Sequence, residues 1–536
     1  MIFFYYLCTL NVNLFIMATK YPTKYPISVQ SFENLREDGY LYVDKTDLVY
    51  DLAQKHVCFL CRPRRFGKSL LLSTLEAYFL GKKHLFEGLK IMSLENEWGQ
   101  YPIFHLDFNG INFYEPDALL HRLNDAISAW ESAYSLKQRC QNIGDRFADV
   151  LQQAYAQTGK RCVVLIDEYD KPLLDVMGEH QEEQNREILK GFYSVFKLAD
   201  ASLRFVMLTG VTKFSQVSVF SGFNQPLDIS MHPDYETICG ITEHELHTVL
   251  EDSVEELANK LGATKEKMYD ALKNSYDGYH FTSKLTDIYN PYSLFCAFSE
   301  GSVRPFWYST GTPTYLAKLM ESSDVDLPTL LSKYYSPEYF VDYRASVQDP
   351  LAMLYQSGYL TIKEVSQQED FSYVYKLDLP NMEVRRGLME LIGNRYFASK
   401  EDFGGIVREM YYCLRDYDME KLHKMLKTYL SSIDYEMRKD KEYHFQYTLY
   451  LIFSLVSTYA IRLEHHSSQG RADLIVETKN HIYIFEFKLG GSAKAALQQI
   501  EETGYATQYA MDARPVHKIG VSFGKKSGTI DEWKEA

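Results

Sequence analysis

Between Tyr25 and about Cys239, short, mostly apolar runs alternate with stretches whose apolar positions recur every three or four residues. The apolar runs are VCFLC at 57–61, IFHLDF at 103–108, 161–166 and 203–208. Unalternating runs of this length suit strands buried on both faces. Helical spacing covers 69–80, 115–158 and 185–200. Strands alternating with helices predict a parallel sheet covered on both sides. From Thr242 to about Ser346 the pattern is mainly helical. It opens on a capping-box-like TEHEL at 242–246 and is broken by turns at Asp277-Gly278 and Asn290-Pro291. A helix-like LAMLYQSGYL and a hairpin pattern follow within 349–391, together expected as a winged-helix-like unit. Helices are expected over 401–431 and 439–459. The end of the chain reads as two strands, 470–476 and 482–488, turning at Thr478-Lys479-Asn480, then a helix over 493–509 and a strand over 518–523.

This pattern divides the 536 residues into an extension at 1–24, an α/β P-loop domain at 25–240, a helical lid and winged-helix-like region at 241–400, and a helical linker with a second α/β domain at 401–536. Three or four domains suit the length, at roughly 150 residues each. An apolar fraction of 46% and 15% aromatics are enough for real cores. The net charge of −15 argues against a surface that coats nucleic acid, so any such site must be a local basic groove. Eight cysteines show no disulfide framework. The Cys58/Cys61 pair lies in an apolar run and reads as buried thiols in a reducing cytoplasm. The first 16 residues lack a basic signal-peptide start and are short for a span, so Met17 is expected as the true start and no membrane association follows.

Two places carry chemistry. Arg62-Pro63-Arg64-Arg65-Phe66-Gly67-Lys68-Ser69 lies between a strand and a helix, the context of a phosphate-cradling loop. Lys68 would reach the β- and γ-phosphates and Ser69 would ligate magnesium. Arg62 stands where the general motif has glycine. Whether Arg62, Arg64 or Arg65 touches nucleotide is open at this stage. About 100 residues on, VVLI ends in Asp167 and Glu168. Asp167 would hold magnesium through water and Glu168 would polarise the attacking water. A third strand ends at Thr209-Gly210-Val211-Thr212, where Thr209 or Thr212 is placed to sense the γ-phosphate.

The second place is the C-terminal hairpin. Glu486 and Lys488 share a strand face, and the turn would bring Asp473 alongside. Asp473 and Glu486 would bind magnesium across a phosphodiester while Lys488 orients water or stabilises developing charge. Glu442, near a helix start, is a further candidate ligand, and His444 beside it reads as a packing residue. The competing reading is a surface ion pair on an edge strand.

These residues resemble a bacterial family in which an AAA-ATPase-like domain precedes a PD-(D/E)xK nuclease domain. The resemblance rests on 32–46, FLCRPRRFGKSLLLSTLEAYF, LIDEYDKP, LTGVTKFSQVSVFSGFN, YDGYHF, YNPYS and, near the end, EYH, GRADL, EFK and QI. Within that family RPRRFGKS is the ordinary loop. The resemblance implies a restriction-endonuclease-like C-terminal core with Glu442, Asp473, Glu486, Lys488 and Gln499 as its site. It implies ATP and Mg²⁺ as cofactors, with Arg64, Arg65, Phe66, Gly67, Lys68, Ser69, Asp167 and Thr209 around the nucleotide. The expected partner is nucleic acid, DNA before RNA, and a homo-oligomer is expected by analogy with ring-forming relatives. The rival function is a nucleotide-dependent switch or scaffold with an inert nuclease fold.

Overall fold

A computed structural model of the chain describes residues 23–138, 142–213, 226–307, 327–341, 350–388, 403–432, 462–464, 474–489, 491–524 and 529–536. Strands β1 (Val57–Cys61), β2 (Ile103–Asp107), β3 (Cys162–Asp167), β4 (Leu203–Gly210) and β5 (Leu227–Asp228) form one sheet in the order β2-β3-β4-β1-β5. Every pairing in it is parallel. β3 is buried at every position and β4 at all but Arg204, which is why both read as unbroken apolar runs. Each fully buried Val, Leu or Phe there stabilises the fold by about 1.5–3 kcal/mol. Because β4 lies between β1 and β3, the ends of all three strands stand side by side. The helical stretch expected over 115–158 is two helices, Ala118–Ala133 and Ile143–Thr158, with Ser135 in the left-handed region between them (φ 53°).

Beyond this sheet, helices Glu243–Thr248, Glu251–Leu261, Lys265–Tyr276 and Pro291–Glu300 share a core built on Leu246, Leu250, Val254, Leu272 and Leu294. The capping box is present, with Thr242 and Glu245 each bonding the other's backbone N–H. β6 (Ile241–Thr242) and β7 (Ile288–Tyr289) pair antiparallel beside it. Helix Leu351–Gln356 leads into a hairpin, to which a short third strand adds. The order is β8 (Tyr334–Tyr335), β10 (Tyr373–Asp378), β9 (Thr361–Gln367).

This middle region grips the loop after β1. The Trp307 indole N–H donates to Arg64 O at 3.1 Å. Gly358, at φ 88°, passes so close that a Cβ there would stand 2.6 Å from Pro63 Cβ. Trp307 is placed in turn by Glu383, whose carboxyl accepts the N–H of Phe306, the N–H of Trp307 (2.7 Å) and the Ser293 hydroxyl (2.8 Å). Burial pushes Glu383 up to about 7 against the pull of these three donors. The folded chain therefore keeps this proton over a pH range where the unfolded chain, at the ordinary value of 4.5, has lost it. The sign follows: stability from this group is lost as pH rises from about 4.5 to 7. Urea unfolding at pH 5, 6 and 7.5 should show wild type losing up to about 3 kcal/mol relative to Glu383→Gln across that window. Parallel pH profiles would refute the assignment.

The last unit is a five-stranded sheet running in chain order: β11 (Arg462–Glu464), β12 (Leu474–Glu477), β13 (Ile482–Leu489), β14 (Val516–Phe523) and β15 (Ile530–Glu535). β13 and β14 are parallel, joined by helix Ala493–Thr503, and the other pairs are antiparallel. Helix Phe403–Asp416 takes the Tyr483 hydroxyl on Leu414 O, and helix Met419–Ser432 packs on β15. Neither β11 nor β15 was expected from sequence. The expected helix over 439–459, with Glu442 and His444, lies outside the described residues, as do Asp473, the extension at 1–22 and Met17. No helix among the described residues is long and apolar enough to cross a membrane.

Candidate functional sites

Helix Lys68–Phe79 starts directly after Gly67, whose φ of 98° only glycine adopts without strain. Lys68 is buried, and its ammonium donates to the carbonyls of Arg62 (3.1 Å) and Pro63 (3.3 Å). It also lies 3.7 Å from the Glu168 carboxylate at the end of β3. Asp167 Oδ1 accepts the Thr209 hydroxyl at 2.6 Å and the Glu168 N–H at 3.0 Å. Thr209 thus reaches the site through Asp167, while the Thr212 hydroxyl is bonded to Asp170 at 2.8 Å. Burial holds the Glu168 carboxyl above its ordinary range, and the Lys68 charge offsets only part of that.

These groups open on a cavity of about 420 Å³. Arg64, Arg65, Phe66, Gly67, Lys68, Ser69 and Glu168 are among its lining residues. Asp167 and Thr209 are buried beneath. The lining also includes residues for which sequence reasoning gave no role: Pro26–Gln30, Leu41–Val43, Lys45, Ile238–Ile241 and Tyr292. Lys45 bridges to Glu245 at 2.5 Å, tying the N-terminal segment to the first helix of the middle region. The signature at 32–46 was visible in the sequence, but no spacing rule connects Lys45 to a partner 200 residues away. A helix N-terminus, a buried ammonium and Arg64, Arg65 and Lys171 around one cavity suit a polyphosphate.

Arg64 and Arg65 line the cavity, whereas Arg62 does not. Arg62 is buried, and its guanidinium donates to Ser230 O (2.7 Å), Cys61 O (2.9 Å) and Tyr235 O (3.4 Å). It also stacks 4.0 Å over Phe281. It is a bolt between the loop and the chain after β5. Arg65 is exposed, at φ 69°, and lies 4.9 Å over Tyr292. Phe66 is buried edge-on against Tyr279 and Phe281. Arg62→Met should cost about 3 kcal/mol in urea unfolding, because buried carbonyls lose a charged donor. A stability equal to wild type would contradict that role.

The second site sits on β13, the central strand of its sheet, so the edge-strand reading of Glu486 and Lys488 does not hold. Glu486 is 1% exposed, on the face of β13 opposite the stacked, buried rings of Phe485 and Phe487. Lys488 Nζ donates to Glu486 Oε1 at 3.2 Å and to the Gln499 amide oxygen. Gln499 comes into reach because helix Ala493–Thr503 lies tight on β14. A Cβ on Gly520 would stand 2.3 Å from Ala493 O. Gly520 is paired with Glu486 in the β13–β14 ladder. Across the other ladder, Leu474 pairs with Phe485, so the residue after Asp473 faces the residue before Glu486. Among the described residues no group of three or more His, Cys, Asp or Glu is arranged to hold a metal.

Together these features define a P-loop ATPase-like unit followed by a mixed-sheet unit with the acid–lysine pair of the PD-(D/E)XK nucleases. Residues 26–220 match the family model described as predicted AAA-ATPase, and residues 440–533 match the PD-(D/E)XK nuclease superfamily. An uncharacterized protein in the vnfD 5′ region of Azotobacter chroococcum mcd 1 is 33% identical over 517 residues, covering 95% of this chain and 98% of that protein. The chain therefore belongs to the AAA-ATPase-like proteins with a C-terminal PD-(D/E)XK nuclease-superfamily domain. The solved Aeropyrum pernix ORC2 protein (ADPNP–ADP complexes) aligns at 12% identity and TM-score 0.26, over 68% of this chain and 98% of that one, too loosely to carry detail across.

Proposed function

We propose that this chain binds and hydrolyses ATP, and that its nucleotide state governs phosphodiester cleavage of DNA by the C-terminal domain. The observation that carries the nuclease reading is the buried Glu486 on a central strand, joined by Lys488 to Gln499. A surface ion pair would need neither the burial nor the third partner. Asp473, the residue before Leu474 in the chain, is assigned as the second acid. Glu442, on the segment before the sheet, is assigned as a further acid. The domain division remains 25–240, 241–400 and 401–536.

In the nuclease domain Asp473 and Glu486 would hold Mg²⁺, which when bound supplies Lewis-acid polarisation of a phosphate oxygen. Lys488 orients the attacking water and balances negative charge as it builds at phosphorus. Gln499 holds the Lys488 ammonium in place. In the ATPase domain Ser69 and Asp167 are the residues that would hold the nucleotide's Mg²⁺. Lys68 exchanges its two carbonyl partners for phosphate oxygens, and Arg64 and Arg65 add charge at the mouth. Glu168 accepts a hydrogen bond from the attacking water, and Thr209 keeps Asp167 oriented. The test is cleavage of labelled single- and double-stranded DNA and RNA with Mg²⁺ or Mn²⁺, with and without ATP. Cleavage of no substrate by wild type would replace this reading with the switch or scaffold.

A further inference from the structure

We propose that Asp170 is a positioning residue for ATP hydrolysis: it clasps the loop after β3 to the loop after β4 and so fixes the Glu168 carboxylate. The proposal rests on the ATPase reading above. Asp170 is fully buried. Its Oδ2 accepts three donors from one neighbouring loop: Val211 N (3.0 Å), Thr212 N (2.6 Å) and the Thr212 hydroxyl (2.8 Å). Its Oδ1 has no hydrogen-bond partner among the described residues and lies against Gly210, where a Cβ would stand 2.6 Å from it. Gly210 is needed for this approach, since the same Cβ would meet the Tyr169 ring at 2.7 Å.

Tyr169 closes the clasp from the other side. Its N–H donates to Thr209 O (3.0 Å) and its hydroxyl to Thr212 O (2.8 Å). Asp167 takes the Thr209 hydroxyl. Three of the four residues 167–170 are therefore tied to 209–212. Glu168 alone points to the cavity, and it does so from the left-handed region at φ 51°. For a non-glycine residue that backbone costs about 1–3 kcal/mol and persists only where its surroundings impose it. Here its neighbours on both sides impose it. Loosening Asp170 lets Glu168 relax and moves its carboxylate away from Lys68, 3.7 Å distant. Burial holds the Asp170 carboxyl above its ordinary range, and the Thr212 donors and the Lys68 charge offset only part of that. Asparagine keeps the size of the side chain but offers a neutral acceptor to the three donors, which weakens the clasp, and sets an NH₂ against Gly210 where Oδ1 makes no bond among the described residues.

The test is steady-state ATPase kinetics and binding of a fluorescent ATP analogue for wild type, Asp170→Asn, Glu168→Gln, the double variant and Thr212→Val. Asp170→Asn should lower kcat about 10–100-fold, the scale of misplacing one catalytic group, and leave KM and nucleotide affinity near wild type. In the Glu168→Gln background it should lower kcat no further, which a merely structural role would not produce. Thr212→Val removes one of three donors and should lower kcat more mildly; it carries the test if Asp170→Asn does not fold. Wild-type kcat in Asp170→Asn, or in Thr212→Val where that variant stands in, overturns the proposal, and so does an additive fall in the double variant. Wild-type protein that binds but does not hydrolyse ATP overturns the hydrolysis reading together with it.

Discussion

Lys488→Ala is expected to lower Mg²⁺-dependent DNA cleavage by about 10²–10³-fold, the usual loss when one group aimed at developing charge is removed. The side chain is 31% exposed, so its truncation opens no sealed cavity and the sheet should survive. What disappears is the cation between Glu486 and Gln499. Glu486, still buried, then faces the substrate's negative charge without its counter-ion. DNA binding should change far less than the cleavage rate, and ATP hydrolysis should not change. Cleavage at the wild-type rate would remove Lys488 from the chemistry.

Lys68→Ala should have the second large effect, on the nucleotide side. The ammonium is 3% exposed in its side chain and is held by two loop carbonyls beside Glu168. Truncation leaves those carbonyls without their buried donor and strips the cavity of its innermost cation. Hydrolysis should fall about 10²–10³-fold, because the lost donor is the one aimed at the β- and γ-phosphates. Affinity for ATP should fall more than affinity for ADP, since the γ-phosphate loses a partner that ADP never used. A fluorescent-nucleotide titration and a phosphate-release assay separate the two. Unchanged hydrolysis would exclude this cavity as the site of ATP turnover.

β1, β3 and β4 of the first sheet were legible because burial on both faces leaves a mostly apolar run: VCFLC is apolar throughout, and CVVLID is apolar until the acid at its end. β5 is two residues long and β15, IDEWKE, is a charged edge strand, so neither carries such a pattern. Lys68, Asp167, Glu168, Glu486 and Lys488 are proposed from their neighbours in the chain, and the fold brings Lys68 to Glu168 and Lys488 to Glu486. The role of Arg62 could not be read from its neighbours, since its carbonyl partners lie up to 173 residues away. Gln499 reaches Lys488 only because Gly520 lets a helix settle on β14, a packing fact that helix periodicity does not encode. Asp170 stands three residues past Asp167 in plain view, yet its meaning depends on Thr212, which the fold alone brings to it.

Control of one domain by the other is tested most directly by DNA cleavage measured across an ATP titration with wild type and Lys68→Ala side by side. Wild-type cleavage should change with ATP and track its binding, while Lys68→Ala should cut at a rate that ATP does not alter. A wild-type rate that stays flat from zero to saturating ATP, with binding confirmed in the same samples, would contradict nucleotide control.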